Sequence, residues 1–182
     1  MVSLERRAAL CFVVLAILWL GFSALPVSPA SALDWPMFHH DLERTGVTPE
    51  HVTPPLALLW NSTIGYGVLS CPAVSGGLVY IGSYDYNVSA LNATTGEKIW
   101  NYPTSGQVIS SPAVSGGVVY IGSSYNDHHV YALNATTGAQ IWNYTTGSNV
   151  WSSPAVCGGV VYVGSVDSRV YALNATTGAQ IW

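Results

Sequence analysis

Carboxylates, imidazoles and thiols are the side chains through which this chain could do chemistry, and each class is sparse. From residue 61 onward the acids are Asp85, Glu97, Asp127 and Asp167. Asp85 and Asp167 fall at the same place in a hairpin, where aspartate is an ordinary turn former because its side chain bonds back to nearby backbone. The histidines occur as His39-His40, before Asp41, and His128-His129, after Asp127. Neighbours along a strand point to opposite faces, so neither pair converges on one ion. Cys71 and Cys157 would be free to bridge in an oxidising compartment. Yet each replaces a serine, Ser111 and Ser153 for the first and Ser75 and Ser115 for the second, which predicts two free thiols. The Gly-Gly doublets at 76–77, 116–117 and 158–159 read as turns, without the helix a phosphate site requires. No nucleophile motif or paired carboxylate set stands out, so no catalytic, cofactor-binding or metal-ligating residue is expected. One modification chemistry is spelled repeatedly. Asn61, Asn87, Asn92, Asn134, Asn143 and Asn174 each open an Asn-x-Ser/Thr sequon, which is six of nine asparagines and predicts N-glycosylation on exposed turns.

The elements that position these residues come from repetition. Ser111 to Ser123 recurs as Cys71 to Ser83 and as Ser153 to Ser165. Ala-Leu-Asn-Ala-Thr-Thr-Gly recurs at 90–96, 132–138 and 172–178, each followed after three residues by tryptophan. Trp60, Trp100, Trp142 and Trp182 are spaced 40, 42 and 40 apart, and two inserted residues around Tyr125–His128 explain the longer step. A fixed period of this size means an array of one supersecondary unit. Within a unit, Val118-Val119-Tyr120-Ile121 between glycines is too short for a helix and reads as a strand buried on both faces. Val130 to Leu133 and Gln140 to Tyr144 make two more strands. Val108 to Val114 supplies a fourth, its Pro112 marking a backbone that is not fully paired. Four short strands per period make a propeller blade, so the fold class is all-β with about three blades present. In the connecting turn, Asn accepts backbone hydrogen bonds and Gly takes a positive φ that β-branched residues avoid. That glycine also leaves bare backbone for a large ring from a neighbouring blade. A buried Trp removes about 150–250 Å² from water, on the order of 4–6 kcal/mol as an upper bound.

The chain has 182 residues, 49% hydrophobic and 8% charged, with a formal charge of −4. That balance carries no basic footprint for nucleic acid and no polybasic run for an anionic membrane surface. Residues 1–32 have the order of a secretory signal peptide: Arg6-Arg7, an apolar stretch from Ala8 to Leu25, then Ala30-Ser31-Ala32. Retention as an anchor is the competing reading and the one route to a membrane, because about 18 apolar residues just reach across a bilayer. Residues 33–55 form a lead-in, and 56–182 the repeats, divided as 61–100, 101–142 and 143–182. Localisation is secreted or cell-surface.

Ala90-Leu91-Asn92-Ala93-Thr94-Thr95-Gly96-Glu97-Lys98-Ile99-Trp100 resembles the tryptophan-docking motif A-x-D-x-x-T-G-x-x-x-W of the pyrroloquinoline-quinone (PQQ)-type repeat propellers, and so do 132–142 and 172–182. The resemblance implies that the tryptophans pack between the Ala and Gly of an adjacent blade. Trp100 and Trp142 would then sit on Ala90/Gly96, Ala132/Gly138 or Ala172/Gly178, whichever is adjacent, with Trp60 and Trp182 in the same series. The motif's Asp is Asn in all three copies, which creates the sequons at Asn92, Asn134 and Asn174. Three units fall short of a closed ring of four to eight blades. The expectation is therefore the N-terminal fragment of a seven- or eight-bladed protein, or an oligomer if the chain ends at Trp182. The functional expectation is an exported, non-catalytic interaction scaffold for a protein or glycan partner, with no cofactor. The competing class is a quinoprotein alcohol or sugar dehydrogenase using PQQ and calcium, with its site in further blades.

Overall fold

The computed structural model of the chain describes residues 34–41, 54–55 and 57–182; the leader assigned to 1–32 lies outside them, as does 42–53 of the lead-in. Short β-branched and aromatic runs bounded by glycine form the strands. These are β1 (Ala73–Ser75), β2 (Leu78–Gly82), β3 (Asn87–Asn92), β4 (Lys98–Pro103), β5 (Ala113–Ser115), β6 (Val118–Gly122), β7 (His129–Asn134), β8 (Gln140–Thr145), β9 (Ala155–Cys157), β10 (Val160–Ser165) and β11 (Arg169–Asn174). They pair antiparallel into three sheets, β1-β2-β3-β4, β5-β6-β7-β8 and β9-β10-β11. An isolated bridge between Leu173 and Gln180 holds the outer position of the third. Among the described residues no helix is long and apolar enough to cross a membrane.

One rung explains how a blade is filled. Ala113, Tyr120, Ala132 and Trp142 are cross-strand partners in series, so small and large residues alternate across one face. The Tyr120 and Trp142 rings lie 5.8 Å apart over the alanine between them. Ala73, Tyr80, Ala90 and Trp100 repeat this in the first blade. The core accordingly lies between blades. One apolar cluster joins Tyr80, Val88 and Trp100 to Val119, Ile121 and Leu133. The other joins Tyr120, Val130 and Trp142 to Val161, Val163 and Leu173.

Two expectations change. Of Val108 to Val114, β5 takes up only Ala113 and Val114. The backbone before Pro112 bonds to neighbouring hairpins instead: Val108 N–H donates to Ser83 O, and Ser124 N–H to Gln107 O. The run from Leu56 to Thr63, with Trp60, has the form of an outermost strand and predicts an opening strand, but its described residues 57–63 join no ladder among the described residues. Trp60 is nonetheless held, its indole N–H donating to Ala93 O at 2.9 Å.

The antiparallel order gives each blade two ends. The Gly-Gly turns and the Asn-Ala-Thr-Thr-Gly turns share one, tied by Ala93 N–H to Gly77 O, Ala135 N–H to Gly117 O and Ala175 N–H to Gly159 O. The β2–β3, β6–β7 and β10–β11 hairpins and the connections between blades share the other. The lead-in runs across the inner strands. Trp35 exchanges two 2.6 Å backbone bonds with Val74 of β1, and Pro36 O accepts from Val114 of β5. Met37 then buries beside Val156 and Val161 of the third blade. Sequence reasoning missed this clasp, because Trp35-Pro36-Met37-Phe38 is an apolar run outside the repeats, with no second copy to show which strands it meets.

Candidate functional site

The seams between blades carry the recurring side chains. Trp60 lies on Gly96, Trp100 on Gly138 and Trp142 on Gly178. A methyl group at those glycines would stand 2.6, 2.6 and 2.7 Å from the indole carbons, and each glycine holds φ +72°. Each indole N–H also donates at 2.9 Å to an alanine carbonyl of the same turn, Ala93, Ala135 or Ala175. The direction left open by the motif is thus fixed: Trp60, Trp100 and Trp142 each reach forward onto the next motif. Ala90 and Ala132 are instead the cross-strand partners of Trp100 and Trp142 within their own blades. Ala172 is buried, and its N–H donates to Trp182 O. Trp182 is 60% exposed, its ring beside Tyr162.

The turns that receive the indoles are built by the sequon asparagines. Asn92, Asn134 and Asn174 each accept on Oδ1 from the N–H groups two and three residues ahead, at 2.8–3.0 Å. Thr94, Thr136 and Thr176 are exposed. Asn61 and Asn143 are exposed as well. Asn87 differs, because its Nδ2 donates to Asp85 O and its Oδ1 accepts from Asn101.

The hairpin aspartates do more than turn the chain. Asp127 is 4% exposed, and its carboxylate accepts from Tyr131 OH at 2.9 and 3.0 Å and from Ser105 N–H at 3.2 Å. Asp167 accepts from Tyr171 OH at 2.5 Å and from Gly147 N–H at 2.9 Å. Ser105 and Gly147 belong to the connection out of the preceding blade, so each carboxylate locks a seam. Burial first, then the hydrogen bond to Asp127, pushes the Tyr131 hydroxyl well above its usual range. The Tyr171 hydroxyl, more than the backbone N–H groups, holds the Asp167 carboxyl below the usual aspartate value. At the first blade Ser89 stands where the tyrosines are, and among the described residues Ser89 Oγ and Asp85 Oδ1 are buried without a hydrogen-bond partner.

A second contact at Asp127 uses an imidazole where the other hairpins have Asn87 and Arg169. His129 Nδ1 lies 2.7 Å from Asp127 Oδ1, and His129 Nε2 lies 2.9 Å from Thr145 Oγ1. His129 and Thr145 are cross-strand partners of β7 and β8, which puts both side chains on one face. His128 contributes backbone only, its carbonyl accepting from Thr146 N–H and Oγ1. His40 packs against the Trp35 ring at 4.7 Å, and His39 against Phe38 at 4.2 Å. Cys71 and Cys157 are exposed free thiols.

A calcium–quinone centre needs converging carboxylate and amide ligands. Among the described residues no three His, Cys, Asp or Glu side chains converge to hold a metal. The Asp127 and Asp167 carboxylates are already filled by tyrosyl and backbone donors. The described residues therefore do not fit that group.

Comparison with known proteins places these seams in context. Residues 57–182 match the family described as outer membrane protein assembly factor BamB. No curated protein matches the chain. Among solved structures, BamB from Moraxella catarrhalis is similar at 24% identity and TM-score 0.59, over 68% of this chain and 38% of that one. A europium-containing methanol dehydrogenase is similar at 22% identity and TM-score 0.71, over 82% of this chain and 31% of that one. The quinohemoprotein alcohol dehydrogenase from Comamonas testosteroni is similar at 28% identity and TM-score 0.69, over 82% and 26%. The chain thus spans about a quarter to two-fifths of the length of these structures.

Proposed function

The chain belongs to the BamB-type family of PQQ-like repeat β-propellers, and from that premise we propose that it works outside the cytoplasm as an interaction scaffold for a protein partner. The observation that carries this reading is the asymmetry of the blade ends. The hairpin end presents Tyr86, Tyr125 and Trp151, exposed by 47, 51 and 51%. Exposed aromatic residues of this kind are enriched at protein interfaces. Tyr86 and Tyr125 are held at φ 65° and 51°, in the hairpin turns that present their rings. The opposite end carries the sequon turns, where glycans would supply solubility that charge does not. Residues 1–32 act as the export signal. Asn92, Asn134, Asn174, Asn61 and Asn143 are the better acceptors, and Asn87 is the poorest because its amide nitrogen is engaged.

The test is co-purification from the native host with the full chain and with a Tyr86→Ala, Tyr125→Ala, Trp151→Ala variant. The reading expects a defined partner that the variant loses while its unfolding midpoint stays within a few degrees. The neighbouring dehydrogenases support a second reading, in which the whole protein is a quinoprotein. Dye-linked alcohol oxidation on adding PQQ and calcium would establish that reading and displace the first.

A further inference from the structure

We propose that Thr145, His129 and Asp127 form a hydroxyl-activating relay, in which Thr145 accepts an acyl group from a carboxylic ester. The geometry is continuous: Thr145 Oγ1 to His129 Nε2 at 2.9 Å, and His129 Nδ1 to Asp127 Oδ1 at 2.7 Å. Asp127 is an acceptor held in place from other sides by Tyr131 OH and Ser105 N–H. Nδ1 therefore carries the proton, which leaves the Nε2 lone pair facing the Thr145 hydroxyl. The ordering matches what a nucleophile needs: a buried orienting carboxylate, a part-exposed imidazole and an exposed hydroxyl. Threonine is β-branched and stiff at χ1, so its hydroxyl loses little freedom when held there.

Comparison between repeats separates this relay from the demands of the fold. The tyrosine–aspartate lock of Asp127 is repeated by Asp167 and Tyr171. The third blade has Arg169 where His129 stands, and the first has Asn87, with Pro103 in the place of Thr145. A blade forms with any of these residues. The histidine, the threonine and the inserted Tyr125-Asn126 occur together in one hairpin; residues 125 and 126 have positive φ in addition to the one such residue each hairpin carries, Tyr86, His128 and Ser168. Strain concentrated at one unique spot of a repetitive fold is where a specific task is expected.

The reaction balances with water as the only co-reactant. Thr145 Oγ attacks the ester carbonyl carbon while its proton passes to His129 Nε2. The bond to the leaving oxygen breaks, and that oxygen takes the proton from Nε2, so the alcohol departs and Thr145 holds the acyl group as an ester. Water then gives a proton to Nε2 and attacks the acyl carbon, and Thr145 recovers its proton as the acid leaves.

The test uses p-nitrophenyl acetate and the full chain with Cys11→Ser, Cys71→Ser and Cys157→Ser, which removes the competing thiols; the last two changes reproduce the serines of the other repeats. The expected result is a burst of one p-nitrophenolate per chain and one acetyl group mapped to Thr145. His129→Asn, which installs the first blade's residue, slows that acetylation by roughly 100-fold or more. Thr145→Val abolishes the burst, Thr145→Ser retains it, and unfolding midpoints confirm that each variant is folded. Acetyl found on other residues but not on Thr145 overturns the proposal. So does acetylation of Thr145 at an unchanged rate in His129→Asn.

Discussion

Placing a methyl group under one indole isolates what a seam contributes. In Gly138→Ala the new carbon would lie 2.6 Å from Cε3 and 2.7 Å from Cδ2 of Trp100, inside contact distance of a ring that is 9% exposed. Three costs follow. A left-handed alanine costs about 1–2 kcal/mol, overpacking a filled site about 1–3 kcal/mol, and loss of the indole bond to Ala135 O about 1 kcal/mol. The total is about 4.5 kcal/mol, a large share of the roughly 5–15 kcal/mol that holds a domain folded. Gly117→Ala is the control, because φ is +75° there but nothing lies within 4 Å of the added carbon. It carries the conformational cost alone, about 1–2 kcal/mol. Urea unfolding followed by tryptophan fluorescence should separate the two variants by roughly 3 kcal/mol, or about 1.5 M in midpoint for a slope near 2 kcal/mol/M. Equal midpoints for Gly138→Ala and Gly117→Ala would refute the argument that the indole needs bare backbone.

Tyr131→Phe leaves the buried Asp127 carboxylate with fewer donors and should destabilise by about 1–3 kcal/mol in the same assay. The Tyr131 hydroxyl is raised above its unfolded value near 10, so its stabilisation is complete below that pH and fades above it. Tyr131→Phe should therefore flatten the alkaline limb of a stability–pH curve. Asp167 is lowered from 3.8, so its contribution is present above that pH and lost as pH falls through the depressed value. Tyr171→Phe should flatten the acid limb below about pH 4, read as unfolding midpoint against pH. Asn134→Asp keeps the oxygen that caps the Thr136 and Thr137 N–H groups, so stability should move by less than about 0.5 kcal/mol. If the sequon is occupied in the native host, intact mass falls by one glycan in the same variant.

Much of this architecture was legible because the chain repeats it. Val118 to Ile121 and Gln140 to Tyr144 are strands in sequence and in space, and the Asn-Ala-Thr-Thr-Gly turn follows from what Asn can accept and where Gly is permitted. Which way each tryptophan points was not legible, since the order of blades around the axis leaves no mark in a local motif. Val108 reads as a strand residue by its type, yet its N–H is taken by Ser83 of the preceding blade. The Asp127–His129–Thr145 relay was hidden for a different reason. Adjacent histidines argue against a shared ion, but His129 and Thr145 are 16 residues apart and meet only through the β7–β8 register, which no local motif displays.

The scaffold reading depends most directly on which end of the blades meets the partner. A photo-crosslinking side chain placed at Tyr125 on the hairpin end, or at Thr136 on the turn end, can be irradiated in the native host. The account predicts a discrete protein adduct from position 125 and none from position 136. An adduct from 136 with none from 125 would contradict it.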